Sequence, residues 1–269
     1  LLELERENTQ VTLPRPKGVL RLEEVDFTYP DSSAPQIRQV AGQIGPNGLH
    51  AIVGANGSGK TTLLKLLRGL YTPSKGRVLL DGADLTQFAQ KDLARWIGYL
   101  PQQVQLMSGT VRDNLALSSA QTSDEQIIRA ATLACAHDFL VDLPDGYGTH
   151  VGEGGVRFSG GQRKRIAIAQ VFVQDPANLL LDEPTNDLDV ETLGSLENAL
   201  LEFPGCAVIT SHDRWFLDRI ATHILAYEGD STWFWFEGNF ESYEKNKIDR
   251  LGADAARPHR ATYRKLPRG

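Results

Sequence analysis

A glycine-rich segment at residues 54–61 has the residue types and the spacing of a phosphate-binding loop. Its sequence, Gly-Ala-Asn-Gly-Ser-Gly-Lys-Thr, fits the pattern Gly-x-x-x-x-Gly-Lys-Ser/Thr, in which backbone N–H groups converge on phosphate oxygens. We expect Lys60 to neutralise the β- and γ-phosphates and Thr61 to offer its hydroxyl to Mg²⁺. A purely structural glycine turn is the alternative interpretation. The residues predicted to bind the nucleotide here are Gly54, Asn56, Gly57, Ser58, Gly59, Lys60, Thr61 and Thr62.

Two carboxylates, Asp182 and Glu183, directly follow the apolar run at residues 178–181. In open α/β folds, the carboxyl ends of the strands face the bound ligand. We therefore expect Asp182 to bind Mg²⁺, directly or through water, and Glu183 to polarise the water that attacks the γ-phosphorus. The alternative role for such a pair is to cap the next helix.

His212 stands just after another short apolar run, at residues 206–210. From a neighbouring strand end, this imidazole can reach a γ-phosphate and orient the attacking water. A plain surface histidine is the alternative. The other five histidines are assigned no role.

Short apolar segments alternate with helix-like segments along the chain, which predicts an α/β fold with helices around a mainly parallel sheet. Segments 123–136 and 158–172 are expected to be helical and to form a lobe carried on that sheet. Asp189 is expected to cap the start of a further helix. The other predicted elements are strands at 19–27, 48–53, 178–181 and 206–210 and a helix at 62–67.

The composition is that of an ordinary folded protein, with 41% hydrophobic and 23% charged residues. The formal net charge of −6 provides no overall basic footprint for nucleic acid, and we interpret Arg163, Lys164 and Arg165 as a solvated helix face. Cys135 and Cys206 lack metal-ligand spacing, which favours a reduced compartment over a disulfide framework.

The expected layout is a single domain at residues 19–247, with a polar linker at 1–18 and a loosely held tail at 248–269. No apolar run approaches the roughly 20 residues that cross a bilayer, and residues 1–8 do not look like a signal peptide. We therefore expect a cytoplasmic location, with any work at the membrane face depending on a partner.

A third element, Phe158-Ser159-Gly160-Gly161-Gln162, resembles the signature motif of ATP-binding cassette (ABC) proteins. Together with the phosphate loop, Asp182-Glu183, residues 187–189 and His212, it gives a resemblance over about residues 19–240; Phe158 replaces the family's leucine. The resemblance implies an ABC-type P-loop NTPase with an antiparallel β subdomain and a helical signature subdomain at about residues 100–175. It also implies ATP and Mg²⁺ as ligands and a head-to-tail pair of domains. In such a pair, Ser159, Gly160, Gly161 and Gln162 of one domain complete the γ-phosphate site of the other.

The same resemblance assigns roles to two more residues. Tyr29 matches the aromatic residue that stacks on adenine, and Gln102 matches the glutamine that touches Mg²⁺ and senses the nucleotide. A buried tyrosine and a turn glutamine are the alternatives. The predicted catalytic set is then Glu183, His212, Lys60 and Gln102, and the predicted metal ligands are Thr61, Gln102 and Asp182.

The subfamily resemblance is divided. Up to about residue 176 the chain is similar to nucleotide-binding domains of ABC exporters of the type I secretion kind, notably at 109–114 and 145–155. From about residue 178 it is similar to the second cassette of ABC-F translation factors of the energy-dependent translational throttle group, notably at 182–189 and 211–218. This division suggests a chimera with a junction near residues 174–179; a natural, divergent exporter domain is the alternative.

Three functions follow from this division. The first is an exporter ATPase that forms an ATP-dependent homodimer and drives a transmembrane domain. The second is a ribosome-associated translation factor cassette, although that class normally carries two cassettes and one phosphate loop is found here. The third is a folded chimera that binds ATP without a coupled function.

Overall fold

The structure, a computed structural model, describes residues 14–117 and 122–252 as two sheets with helices around them. In chain order, the strands are β1 (Leu20–Phe27), β2 (Ile37–Ile44), β3 (Gly48–Val53), β4 (Lys75–Leu80), β5 (Ala83–Asp84), β6 (Ile97–Leu100), β7 (Asn178–Asp182), β8 (Cys206–Thr210), β9 (His223–Gly229) and β10 (Thr232–Glu237). The helices are α1 (Lys60–Leu67), α2 (Gln90–Trp96), α3 (Val111–Leu115), α4 (Asp124–Leu133), α5 (His137–Val141), α6 (Gly160–Val173), α7 (Val190–Leu201), α8 (Arg214–Ile220) and α9 (Phe240–Leu251).

The larger sheet has the strand order β10-β9-β3-β8-β7-β6 and is parallel except for β10. The smaller sheet is antiparallel, in the order β2-β1-β4-β5. The predicted α/β fold with a mainly parallel core sheet and an antiparallel β subdomain is confirmed. Because β3, β6, β7 and β8 are parallel, the segments that follow them leave the sheet at the same edge.

Both faces of the larger sheet are buried, which explains why its strands are continuous apolar runs. In β7, Leu179 and Leu181 face one hydrophobic cluster and Leu180 faces the other. The first cluster includes the apolar side chains of α6, and the second includes those of α1 and the antiparallel sheet. The sheet therefore holds the site-bearing strand ends between two packed layers.

The helical lobe is built from α3, α4, α5 and α6, and α4 packs on α6. Capping boxes start three of these helices, at Thr110, Ser123 and Ser159. Of the segment predicted to be helical at 123–136, Asp124–Leu133 forms α4, with Ser123 as its N-cap. Cys135 has φ +50°, a left-handed backbone conformation that turns the chain into α5.

Both ends of the described chain lie against the body. Arg15 pairs with Asp175 at 3.0 Å and also donates to the Pro176 carbonyl, while the Gly18 carbonyl accepts from Asn178 Nδ2 at 2.9 Å. At the other end, α9 continues to Leu251. The remainder of the predicted linker, residues 1–13, and of the predicted tail, residues 253–269, lies outside the described residues. Across 14–117 and 122–252, none of the helices is both long and apolar enough to cross a bilayer.

Candidate active site

The glycine-rich loop lies where predicted, between the end of β3 and the first residue of α1. Gly59 precedes α1 with φ +96°, and a Cβ at this position would come within 2.6 Å of Ile37 Cδ1. Glycine is therefore required there for both conformation and space. The loop also accepts a hydrogen bond from outside, since Gln36 Nε2 donates to the Gly57 carbonyl at 2.8 Å.

Lys60 is folded back over this loop. Its Nζ donates to the carbonyls of Gly54 at 2.9 Å and Ala55 at 3.2 Å, and only 8% of the residue is exposed. Burial lowers the pKa of Lys60, while the nearby charges of Glu183 and Asp182 oppose that shift. A positive charge thus lies close to the loop and within electrostatic reach of both acids.

Asp182 is held at the end of β7 by a threonine of the adjacent strand. Thr210 Oγ1 donates to Asp182 Oδ1 at 2.7 Å and accepts from the Glu183 amide at 3.0 Å. The second carboxylate oxygen, Asp182 Oδ2, is buried without a hydrogen-bond partner. An unpaired buried carboxylate oxygen is costly, and a cation would satisfy it.

This donor set fits Mg²⁺, which prefers carboxylate and hydroxyl oxygens and is usually bound together with phosphate oxygens. Asp182 Oδ2 provides the carboxylate, and Thr61 carries a hydroxyl at the start of α1. Within the described ranges, no group of three or more His, Cys, Asp or Glu side chains could hold a metal ion by itself.

Glu183 and His212 are in direct contact. His212 Nε2 lies 3.3 Å from Glu183 Oε1, and the His212 amide donates to Glu183 Oε2 at 3.3 Å. The Glu183 side chain is 5% exposed, whereas that of His212 is 57% exposed. Glu183 also has φ +50°, an unusual conformation for a non-glycine residue. This arrangement leaves a buried carboxylate behind a histidine that faces solvent.

Gln102 follows β6 at the same edge of the sheet, with an exposed side chain. Its main-chain carbonyl accepts from Lys164 Nζ at 3.3 Å. The interpretation of residues 163–165 as a solvated helix face is therefore wrong, because Lys164 is only 3% exposed. Arg163 donates to the Phe158 carbonyl at 2.6 Å, and Arg165 donates to the Cys135 carbonyl at 3.1 Å.

Burial lowers the pKa of Lys164, against the opposing charges of Asp182, Asp187 and Glu183. Lys164 thus joins Lys60 as a second lysine near the acids. Sequence reasoning missed both Lys164 and Thr210 as members of this site.

The signature segment, residues 158–162, forms the start of α6 and packs against the Asp187 carbonyl. Ser159 and Gln162 form a reciprocal capping box, with contacts of 3.2 and 3.0 Å. A Cβ on Gly161 would lie 2.6 Å from the Asp187 carbonyl, so glycine is needed for this close approach. Phe158 is buried against Phe139, which makes its departure from the family's leucine a matter of packing.

Tyr29 lies beside the first turn of α1. Its hydroxyl and Thr62 Oγ1 are 2.8 Å apart, and its half-buried ring packs edge-on against Phe27 and Tyr71. The structure therefore places an aromatic ring beside the first turn of α1, and the adenine-stacking role of Tyr29 stays a prediction.

Comparison with known proteins gives a consistent result. A family model described as ABC transporter matches residues 37–186. The energy-dependent translational throttle protein EttA of Mycobacterium tuberculosis is 46% identical over 93% of this chain and 43% of the relative. The cyclolysin secretion/processing ATP-binding protein CyaB of Bordetella pertussis is 38% identical over 81% of this chain and 31% of the relative.

The structure is also similar to that of a bacterial Atm1-family ABC exporter with ATP bound. The TM-score is 0.80 at 29% identity, covering 91% of this chain and 42% of the exporter chain. The chain thus spans less than half the length of the relatives it matches.

Proposed function

Because the chain belongs to the ABC transporter family, we propose that it binds Mg-ATP and hydrolyses it at the interface of two such domains arranged head to tail. The observation that supports this most directly is the convergence of opposite charges at one sheet edge. Lys60 of the phosphate loop is within electrostatic reach of Asp182 and Glu183, and Asp182 Oδ2 is free to take a cation.

In the proposed reaction, Glu183 accepts a proton from a water that attacks the γ-phosphorus in line with the departing ADP oxygen. His212, in contact with both oxygens of Glu183, orients that water. Lys60 leaves the loop carbonyls and offsets charge on the β- and γ-phosphates. Mg²⁺, when bound, would neutralise phosphate charge, with Asp182, Thr61 and Gln102 as the residues to hold it.

The rest of the nucleotide would contact the phosphate loop and Tyr29. Tyr29 is proposed to stack on adenine, and the amides of residues 54–62 to bind the phosphates. The helix start at Ser159 has glycines at its first two positions, which leaves backbone amides accessible to an anion. In a head-to-tail pair, this helix start would meet the γ-phosphate of the partner domain.

We propose an exporter as the principal biological setting, with the domain on the cytoplasmic side of the membrane and attached to a transmembrane partner. The relative CyaB is named for secretion, and the similar solved structure is that of an exporter. A ribosome-associated role is the second candidate. It is favoured by EttA, a relative named for throttling translation, which aligns over 93% of this chain.

Under the chimera hypothesis, the two proposed parts, joined near residues 174–179, must share one sheet. Strand β7 pairs with β6 of the first part and with β8 of the second. Arg15 also binds Asp175 and the Pro176 carbonyl at the proposed junction. These contacts support a shared core, and a measurement of turnover decides whether the two parts also cooperate.

That test is the rate of ATP hydrolysis as a function of protein concentration, with Glu183→Gln as the blank. A rate that rises more than linearly would support two domains closing over ATP. ATP binding with no activity above the blank would contradict the proposal and leave a folded nucleotide binder. Cosedimentation of Glu183→Gln with bacterial ribosomes in the presence of ATP would favour the second candidate over the exporter.

A further inference from the structure

Helix α6 contacts its own domain's catalytic segment at two points. The first is Gly161, which approaches the Asp187 carbonyl so closely that no side chain fits between them. The second is Lys164, one turn further along the helix, whose Nζ donates to the Gln102 carbonyl at 3.3 Å. The position of this helix is therefore tied both to the Gln102 loop and to the segment that follows Glu183.

Lys164 is a buried charge, with only 3% of the residue exposed. A buried ammonium is unfavourable unless opposite charges or hydrogen-bond acceptors compensate for its lost hydration. Here the compensation comes from the Gln102 carbonyl and from the negative charges of Asp182, Asp187 and Glu183. The lysine is therefore hydrogen-bonded to the Gln102 carbonyl and lies within electrostatic reach of the acids that the proposed reaction uses.

The start of α6 and the acids near Lys164 belong to different ATP sites. Under the proposed function, on which this inference rests, the amides at the start of α6 complete the site of the partner domain. Gln102, Asp182 and Glu183 belong to the site of the same domain. Because a helix is a stiff rod, a shift of Lys164 toward or away from its own acids moves the start of α6.

We propose that Lys164 is a positioning residue that couples the two ATP sites of a dimer. It ties the Gln102 loop of one site to the helix that completes the other. The charge around Asp182 and Glu183 changes as Mg-ATP arrives or phosphate leaves, which alters their electrostatic attraction for Lys164. Because Lys164 is part of α6, the position of Gly160 and Gly161 changes with it. Loading of one site then favours closure of the other.

The test compares Lys164→Met, which keeps length but removes charge and donor, with Lys164→Gln, which keeps a donor. Lys91→Met, at an exposed position on α2, is the matched control. We expect Lys164→Met to lower kcat by at least about tenfold, with ATP affinity of the monomer kept within about twofold. Its ATP dependence should lose cooperativity, with a Hill coefficient near 1, and Lys164→Gln should lie between Met and wild type.

Wild-type cooperativity in Lys164→Met would overturn the inference while leaving the proposed function intact. If Lys164→Met does not fold, the same comparison is made with Lys164→Gln. If the wild-type chain neither dimerises with ATP nor turns over, the proposed function fails instead. Hydrogen exchange of the nucleotide-free chain then decides on the Lys164 contact: faster exchange around Gln102 in the variant supports it, and unchanged exchange refutes it.

Discussion

Both carboxylate oxygens of Glu183 contact His212, one through the imidazole Nε2 and one through the main-chain amide, each at 3.3 Å. These contacts fix the direction in which a nearly buried carboxylate points. They also connect the end of β7 to the end of β8, since Glu183 follows the first strand and His212 the second. The geometry of this site therefore predicts how its variants behave.

Glu183→Gln should abolish ATP turnover while keeping ATP binding, because the amide oxygen can still accept from the His212 main-chain amide but the side chain cannot take a proton from water. The ATP-bound dimer should accumulate, which is measurable by size-exclusion chromatography with ATP and Mg²⁺. Glu202→Gln makes the same chemical change at an exposed position and should leave turnover unchanged. Retained turnover in Glu183→Gln would remove Glu183 from the role of base.

Lys60→Ala should abolish ATP binding, because it removes the ammonium group that now donates to the Gly54 and Ala55 carbonyls and is proposed to offset phosphate charge. Isothermal titration with Mg-ATP measures this loss. Lys91→Ala removes an exposed lysine on α2 and should bind as the wild type does. Tight binding of Mg-ATP by Lys60→Ala would refute the assignment of the loop.

Asp182→Asn should lower turnover by at least about a hundredfold at low Mg²⁺ concentration, since the free carboxylate oxygen of Asp182 is the proposed metal ligand. The measurement is a Mg²⁺ titration of the ATPase rate together with nucleotide binding in EDTA. We expect nucleotide binding without metal to be retained. An unchanged Mg²⁺ dependence would show that the cation is held elsewhere.

Tyr29→Ala should weaken ATP binding by about tenfold, in keeping with the ~1–3 kcal/mol of an aromatic ring stacked on a base. Tyr29→Phe keeps the ring and loses only the hydroxyl contact with Thr62. It should therefore bind ATP within about threefold of wild type, a loss no larger than one ordinary hydrogen bond of about 1 kcal/mol. Equal losses in the two variants would mean that the hydroxyl, and not the ring, is what matters.

His50 gives a prediction about pH. Burial, with a further contribution from the charge of His223, lowers the pKa of His50 from 6.5 to about 4. The unfolded chain therefore takes up a proton at a higher pH than the folded chain does. Stability should fall as pH drops from about 6.5 to about 4, by up to roughly 3 kcal/mol from this residue.

The check is urea unfolding of the wild-type chain and of His50→Gln across that pH range. The variant should lose most of the pH dependence that His50 causes, so the two stability curves should converge toward acid pH. Parallel curves from pH 6.5 to pH 4 would contradict the prediction.

Much of the fold was predictable because the signals are local. The strand at residues 48–53, the glycine-rich loop and the following helix are adjacent in sequence, and so are the strand at 178–181 and its two acids. The break between α4 and α5 was not predictable in the same way. Ala134 and Ala136 suit a helix, and the turn at Cys135 depends on how α5 packs.

The parts of the site that were missed depend on which face of an element is buried. Lys164 was grouped with its charged neighbours, yet Ile168 and Val171 lie four and seven residues further along the same buried face of α6. That spacing was a usable signal for a buried lysine. Thr210 acts through its register opposite Asp182, which only the paired sheet defines.

The order of strands in the larger sheet has a consequence for folding. Gly48 of β3 pairs with Cys206 of β8, and His50 pairs with His223 of β9. Contacts between such distant parts of a chain form slowly, because a long loop must close first. During synthesis, β3 stays unpaired until β8 has been made. A product truncated before residue 206 would expose an apolar strand prone to aggregation.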